Sequence, residues 1–347
     1  MKKLFIISIW MCGLATLLHG QSELPKFASN PDKIKVKLDM PLEGRAYKNG
    51  TGYTLNPKML DALPKKIALV SFYTFDPGFT KTWSSSTTTS GYYYDTKTTT
   101  RHTEKLNSGG NAGHIALGFY VSAIDILKTR FKEMGMELLE PSEFLDTEEK
   151  RTFYKNFEIE HSKFNDFLAK ALNSGANHDA IYAYPQGYRV MPIDNEPFAN
   201  YTQSGKLSFY AYNNKVSDGQ LWVMSKIGKE ISSINDLTRA LGVDAVIFFY
   251  STIYVPKEGQ INLQNVNMLM FGPNPVALPD GKDKKFNYFP GQMYIGTRAN
   301  VGVPILKVNK KKPETQKLDF RGYGNIVQAM TNRMEAYFNK AFAKKKS

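Results

Sequence analysis

Hydrophobic positions along this chain recur at several spacings, and each spacing predicts a different element. Ile34, Val36, Leu38 and Met40 alternate with Lys33, Lys35, Lys37 and Asp39, the period of a half-buried strand. Pro41, Gly44, Gly50, Gly52 and Pro57 then break the pattern, so residues 21–56 read as an N-terminal arm. The largely apolar run 66–75, stopped by Asp76-Pro77-Gly78, predicts a core strand. A second run at 243–255 predicts a buried central strand, followed by a four-residue turn, Pro256-Lys257-Glu258-Gly259. On the return, Ile261 and Leu263 keep one phase, whereas Val266, Met268 and Met270 keep the other. One residue of slip near Gln264-Asn265 reconciles them, which predicts a β-bulge there. Shorter strands are expected at 136–139, 179–184 and 207–212, and two more at 293–297 and 301–308.

Helical spacing appears in four places. Residues 114–134 are apolar nearly all round, which predicts a buried helix ended by Gly135. Residues 157–172 place Phe164, Phe167, Leu168, Ala171 and Leu172 on one side. Residues 220–241 form a helix softened at Ser232-Ser233 and stopped at Gly242. The last stripe, Tyr323, Ile326, Val327, Met330, Met334, Tyr337, Phe338, Ala341 and Phe342, is expected to pack on a sheet. A membrane-surface role for it, suggested by the flanking Lys340 and Lys344 to Lys346, is the weaker alternative. The fold class expected is α/β: a mixed sheet flanked by helices, with a long polar insertion after the first core strand and an amphipathic C-terminal helix. The α/β domain spans 57–347, with insertions at 76–112 and 141–218.

The first twenty residues carry a basic start, Lys2-Lys3, an apolar stretch from Leu4 to Leu18, and a polar change after His19-Gly20. That is the layout of a cleaved secretory signal peptide over 1–20. The sole cysteine, Cys12, lies inside it behind the bulky Ile9-Trp10-Met11, a poor context for acylation. The expected mature chain has no cysteine and no disulfide, which favours a bacterial envelope over a disulfide-stapled eukaryotic secreted domain. Localisation is therefore expected to be exported, periplasmic or extracellular, with outer-membrane association allowed. No later segment is apolar enough for a transmembrane span. The chain has 45 Lys and Arg against 32 Asp and Glu. Removing Lys2 and Lys3 leaves 43 against 32, a net charge of +11. Export makes nucleic acid the least suitable anionic partner and leaves an envelope protein or anionic polymer.

Three segments carry a family resemblance. The stretch KKIALVSF resembles the opening strand of the curli-secretion-channel (CsgG-like) group and its TolB-N-terminal and LpoB-like relatives. RFKEMGMELLEPSEFL is similar to the helix–strand–helix entry those domains use after their first helix. LTRALGVDAVIFFYSTIY looks like their helix-to-strand junction with its following hairpin. The resemblance covers roughly 100 residues in separated pieces and implies an envelope protein that binds or assembles with partners without catalysis. The absent lipobox and the two large insertions depart from that pattern.

The first insertion is unusual in composition: Ser, Thr and Tyr make up fourteen of the twenty residues 83–102. Alternate residues from Thr80 to Ser90 would share one face and Phe79 to Thr89 the other. Neither face has the apolar band of about 9–11 residues that a lipid-facing strand needs. A polar loop and a soluble hairpin turning near Ser90-Gly91 both fit, with Tyr92, Tyr93 and Tyr94 at its tip as candidate partner contacts. Gly109, Gly110 and Gly113 before His114 offer backbone amides to an anion, although no phosphate-loop lysine follows and a flexible re-entry into the helix explains them better. Tyr182, Tyr184, Tyr188, Tyr201, Tyr210 and Tyr212 with Arg189 concentrate flat rings suited to sugars or peptides. The commoner role of such rings is packing at a sheet surface.

Catalytic signatures are missing: there is no H-E-x-x-H, no G-x-S-x-G and no cysteine nucleophile in the expected mature chain. His102, His114, His161 and His178 lack metal-ligand spacing, so no metal or cofactor is expected. Asp125 and Asp244 read as a solvated-face residue and a turn or capping acid. Glu140 and Glu143 are an unremarkable carboxylate pair. The function expected is an exported envelope protein that binds or assembles with a protein or polymer partner, with homo-oligomerisation allowed. The alternatives are a glycan-binding protein or glycan-active hydrolase using the Tyr-rich region, and an oligomeric secretion-pore component.

Overall fold

The computed structural model describes residues 34–39, 45–48, 51–54, 63–76, 78–90, 95–158, 181–191, 198–201, 207–210, 234–273, 291–307 and 318–343. The expected signal peptide, Tyr92, Tyr93, Tyr94 and Tyr212, the helix expected at 157–172 beyond its first two residues, and the start of the one at 220–241 lie outside them.

The two long apolar runs become β4 (Lys66–Asp76) and β11 (Ala245–Lys257), and they are parallel neighbours, with Ala245 opposite Ile67 and Thr252 opposite Phe75. Stacked rings mark the pairing: Phe72 lies 5.0 Å from Phe249 and Tyr73 lies 5.2 Å from Tyr250. Aligned aromatic neighbours of this kind add about 0.5–1.5 kcal/mol beyond their burial. Asp244 ties the two strand starts together, its Oδ2 accepting from the backbone of Lys65 at 2.8 Å and Lys66 at 2.9 Å. It is the capping acid the sequence suggests.

Around this pair the sheet runs β1 (Val36–Asp39), β13 (Gly291–Lys307), β12 (Gln260–Pro273), β11, β4 and β7 (Glu137–Leu139), with β8 (Ile181–Ala183) also on β4. β7 pairs with the start of β4 in parallel, and β8 with its end antiparallel. The sheet is therefore mixed, and with its flanking helices the fold is α/β. The arm contributes β1 to it. Two small hairpins, β2 (Arg45–Lys48) with β3 (Thr51–Thr54) and β9 (Phe198–Tyr201) with β10 (Leu207–Tyr210), form separate ladders.

Helix α1 (Asn111–Glu133) and helix α5 (Tyr323–Ala343) cover one face, with Phe119, Leu127, Phe131, Val327 and Met330 packed on Phe72, Phe249, Val266 and Met268. The opposite face is covered by α2 (Pro141–Phe144), α3 (Glu148–Asn156) and α4 (234–241), through Phe144, Tyr154, Leu237 and Leu241 on Val70, Tyr73 and Phe248. The expected bulge is present: Thr252 faces Asn265 while Ile253 faces Leu263, which leaves Gln264 as the extra residue. It lets both apolar phases of β12 face the same layer.

Four expectations need correction. Residues 291–307 form one strand instead of two, because Gly302 with φ +67° absorbs the change of phase without ending the ladder. The turn after β11 has two residues, since Lys257 and Gln260 already pair and Gly259 supplies φ +72°. Helix α1 starts at Asn111, three residues before His114. It is also not buried all round: Leu117 and Val121 are 52 % and 63 % exposed, so apolar composition alone misjudges its outer face.

Candidate functional site

The hydroxyl-rich insertion is a hairpin. β5 (Phe79–Ser90) and β6 (Asp95–Leu106) pair antiparallel over their whole length, from Phe79 opposite Leu106 to Ser90 opposite Asp95. The loop alternative is thereby replaced, for a physical reason: Thr is a good strand former, and two runs of it paired in register satisfy each other's backbone. Twelve residues at about 3.4 Å each make a ribbon on the order of 40 Å long. Ser85 to Thr88 and Lys97 to Thr100 are exposed on both strands, and so on both faces. Ser86 and Thr99 link their hydroxyls across the ladder at 3.0 Å. Among the described residues β5 and β6 form a sheet of their own.

Both feet of this ribbon are held by one buried carboxylate. Asp76, the last residue of β4, accepts from the backbone of Gly78 at 3.0 Å and of Ser108 at 2.5 Å. The first precedes β5 and the second follows β6, so a single side chain fixes where the hairpin leaves the sheet and where it returns. Buried Leu106 seats the return end. Gly78 adopts φ +56°, which lets the chain turn sharply out of β4. Sequence reasoning reads Asp76 only as part of a strand-stopping Asp-Pro-Gly, because its burial and its bond to Ser108, 32 residues on, leave no local signal.

The glycines after the hairpin serve the re-entry. Gly109 sits at φ +52° in the turn, Gly110 is the N-cap of α1, and Gly113 and His114 are exposed in its first turn. The amides of Asn111 and Ala112 already bond to the carbonyls of Ser108 and Gly109 at 3.1 and 3.3 Å. Part of the supposed anion cradle is thus spent inside the protein.

The tyrosines divide between the two faces of the sheet. Tyr182, 40 % exposed, leans on Phe75 and Tyr73, with Tyr184 also exposed beside it in sequence. Tyr188 is 4 % exposed and belongs to the opposite core with Phe72 and Tyr120. Arg189 donates through Nη1 to the carbonyl oxygens of Tyr154 and, at 2.9 Å, Phe157, while its own carbonyl accepts from Ser71 Oγ at 2.8 Å. These contacts tie the chain at Arg189 to the end of α3 and to the Ser71 hydroxyl on β4. Tyr182 and Tyr188 therefore line no common pocket.

Tyr188 instead joins a polar knot around Glu140. Glu140 Oε2 accepts from the Tyr120 hydroxyl and, at 3.3 Å, from that of Tyr188, while Lys128 Nζ lies 2.7 Å from Oε1. The same lysine is 3.0 Å from Glu143, and Glu140 and Glu143 form a capping box on α2. Burial alone would raise the pKa of Glu140, but hydrogen bonds from Lys128 and Tyr120 outweigh it and hold the carboxyl below its ordinary range. Burial and the bond to Glu140 push Tyr120 up to about 12, and burial raises Tyr188 as well. A carboxylate kept charged beside phenols kept protonated has no proton to exchange near neutral pH. The knot ties α1, α2 and the 184–191 loop together.

An open groove of about 910 Å³ is lined by Glu148, Glu149, Phe153, Phe157, Glu158 and Asp236, an acidic patch that charge counting on a basic chain hides. Among the described residues no three metal-ligating side chains converge, and no helix is long and apolar enough to cross a membrane. What fold and site define is an α/β domain carrying a clamped, two-sided polar hairpin. Comparison with protein families, with curated proteins and with solved structures finds no match for the chain.

Proposed function

We propose that this chain is an exported protein of the bacterial envelope that binds or assembles with a protein or polymer partner through the β5–β6 hairpin, without catalysis. The observation that carries the reading is the ribbon itself: hydroxyl-bearing, exposed on both faces and fixed at its base by Asp76. The exposed centre of the ribbon, 85–88 and 97–100, contributes little to the core, whereas it presents a hydrogen-bonding surface to another molecule. Exposed Lys97 on β6 gives that surface a cationic point suited to an anionic polymer or acidic protein. The leader-like start supports export, and the expected mature charge of +11 suits an anionic surround. Kinship with the CsgG-like group belongs to the same proposal, supported by the segment likenesses and by the parallel pairing of β4 with β11. With Tyr182 and Tyr188 on opposite faces, those two rings lend no shared site to the alternative of a glycan-binding protein or glycan-active hydrolase.

The test joins location to deletion. The full chain and a variant with 80–105 replaced by a short Gly-Ser link are expressed with a C-terminal tag, the cells fractionated and the envelope cross-linked. The expected result is an envelope product with a processed N-terminus, and cross-linked partners present with the full chain and lost with the deletion. An uncut product in the cytoplasm, or identical partners from both chains, would overturn the proposal.

A further inference from the structure

We propose that one face of the hairpin takes an acidic polysaccharide, laid along the line of Lys97, Arg101 and Lys105. The inference rests on reading the hairpin as a docking arm, and it names the ligand class of one of its two faces.

The ladder sorts the ribbon's charge. Residues two apart on a strand share a face, and residues directly opposite each other across the ladder share it too. One face is therefore defined by Ser90–Asp95, Thr88–Lys97, Ser86–Thr99, Ser84–Arg101, Thr82–Thr103 and Thr80–Lys105. The other runs from Thr89–Thr96 at the tip to Lys81–Glu104 and Phe79–Leu106 at the root. Three cations fall on the first face, with one acid, Asp95, at the tip. On the second, a single lysine sits directly opposite a single glutamate. The excess positive charge of the hairpin thus belongs to the Lys97 face, and twelve pairs without a register shift keep it there. At the root, buried Leu106 belongs to the other face and joins the core of Phe119 and Val255, so the Lys97 face turns away from that core.

Spacing and chemistry select the ligand. Cations four residues apart stand about 14 Å from one another along the strand. A nucleic-acid strand carries a phosphate about every 3.4 Å, a density that these three residues do not match. Around Lys97 the exposed neighbours on its face are Thr88, Ser86 and Thr99. Ser86 and Thr99 share one hydrogen bond, and each hydroxyl keeps a lone pair for another. A chain that is mostly hydroxyl, with carboxylates set apart, meets both features, and that is the make-up of an acidic polysaccharide. An acidic polypeptide offers fewer hydroxyls and crowds its charges. Two-stranded ribbons also twist strongly, so this face winds along its length. A flexible polymer follows such a path, whereas a flat lipid surface meets only part of it.

The experiment titrates the purified mature chain, immobilised for biolayer interferometry, with a polyuronate, a neutral dextran, polyglutamate and vesicles rich in phosphatidylglycerol. The polyuronate should bind most tightly and dextran not at all, with affinity falling as salt rises. Lys97→Gln and Thr98→Glu change the net charge equally but on opposite faces. The first should weaken polyuronate binding about threefold, the size of one exposed ion pair, and the second should change it less. Adding Arg101→Gln and Lys105→Gln to Lys97→Gln should bring the loss to about thirtyfold, because sites this far apart combine additively. No polyuronate binding, equal binding of dextran, or equal responses to Lys97→Gln and Thr98→Glu would overturn the proposal. Tighter binding of polyglutamate or vesicles, abolished when 80–105 is deleted, would overturn it too while leaving the docking arm intact. Probes bound alike by the full chain and the deletion would overturn both.

Discussion

Asp76→Ala removes a side chain that holds both feet of the hairpin, and its effect can be sized from two contacts. The buried carboxylate accepts from the Gly78 and Ser108 amides. Hydrogen bonds to a charged group contribute about 1.5–3 kcal/mol each, so the pair represents roughly 3–6 kcal/mol if the feet stay buried. The protein can lower that cost by letting the hairpin open, which gives both amides to water. The loss then appears locally, because the centres of β5 and β6 are exposed and only Leu106 at the return end is buried among the described side chains of the hairpin. Hydrogen exchange read by mass spectrometry separates the two outcomes. Peptides from 79–106 should lose at least about a hundredfold in protection, since each ~1.4 kcal/mol is a factor of ten. Peptides from β4 and β11 should exchange nearly as before. Asp76→Asn, which keeps a neutral acceptor, should fall between. Unchanged protection in the hairpin, or a loss spread evenly through the core, would refute the reasoning.

Other positions test the body. A Cβ on Gly118 would lie 2.3 Å from the Phe320 ring, so Gly118→Ala should lower stability by about 1–3 kcal/mol in urea despite its better helix propensity; a gain in stability would contradict the close approach. Deleting Gln264 removes the bulge and turns either Ile261 and Leu263 or Val266, Met268 and Met270 to the wrong layer, so no cooperative transition should remain, and a normal melt would refute the register. Glu140 has a folded pKa below its ordinary 4.5, so its contribution is complete above pH 4.5 and is lost as pH falls through the folded value. Glu140→Gln should therefore lower stability at neutral pH and flatten the decline below pH 4.5; an unchanged acid limb would refute the role of the knot.

Much of the frame was legible because it follows from apolar spacing. The burial of β4 and β11, the Gln264 bulge and the packed stripe of α5 all express whether and on which side a residue must face a layer. The misreadings share another cause. Leu117 and Val121 are apolar yet exposed, and nothing in a helical run says which of its sides is covered. β13 continues through Gly302 because glycine tolerates the left-handed backbone that keeps the ladder intact, whereas a lone glycine in a sequence looks like a break. The hairpin was written in its threonines, but its anchor was not, since Asp76 meets Ser108 across 32 residues. Tyr188 and Arg189 looked like ligand contacts because a ring or guanidinium reads the same whether it serves a ligand or, as here, Glu140 and the Tyr154 carbonyl.

The most direct test of the central claim is site-specific photo-cross-linking in living cells, with the photoreactive residue placed at Thr87 or Thr98 on the hairpin or at exposed Asp125 on α1. The account predicts discrete adducts in the envelope from both hairpin positions and none from Asp125. Adducts from Asp125 alone, or from none of the three, would contradict it.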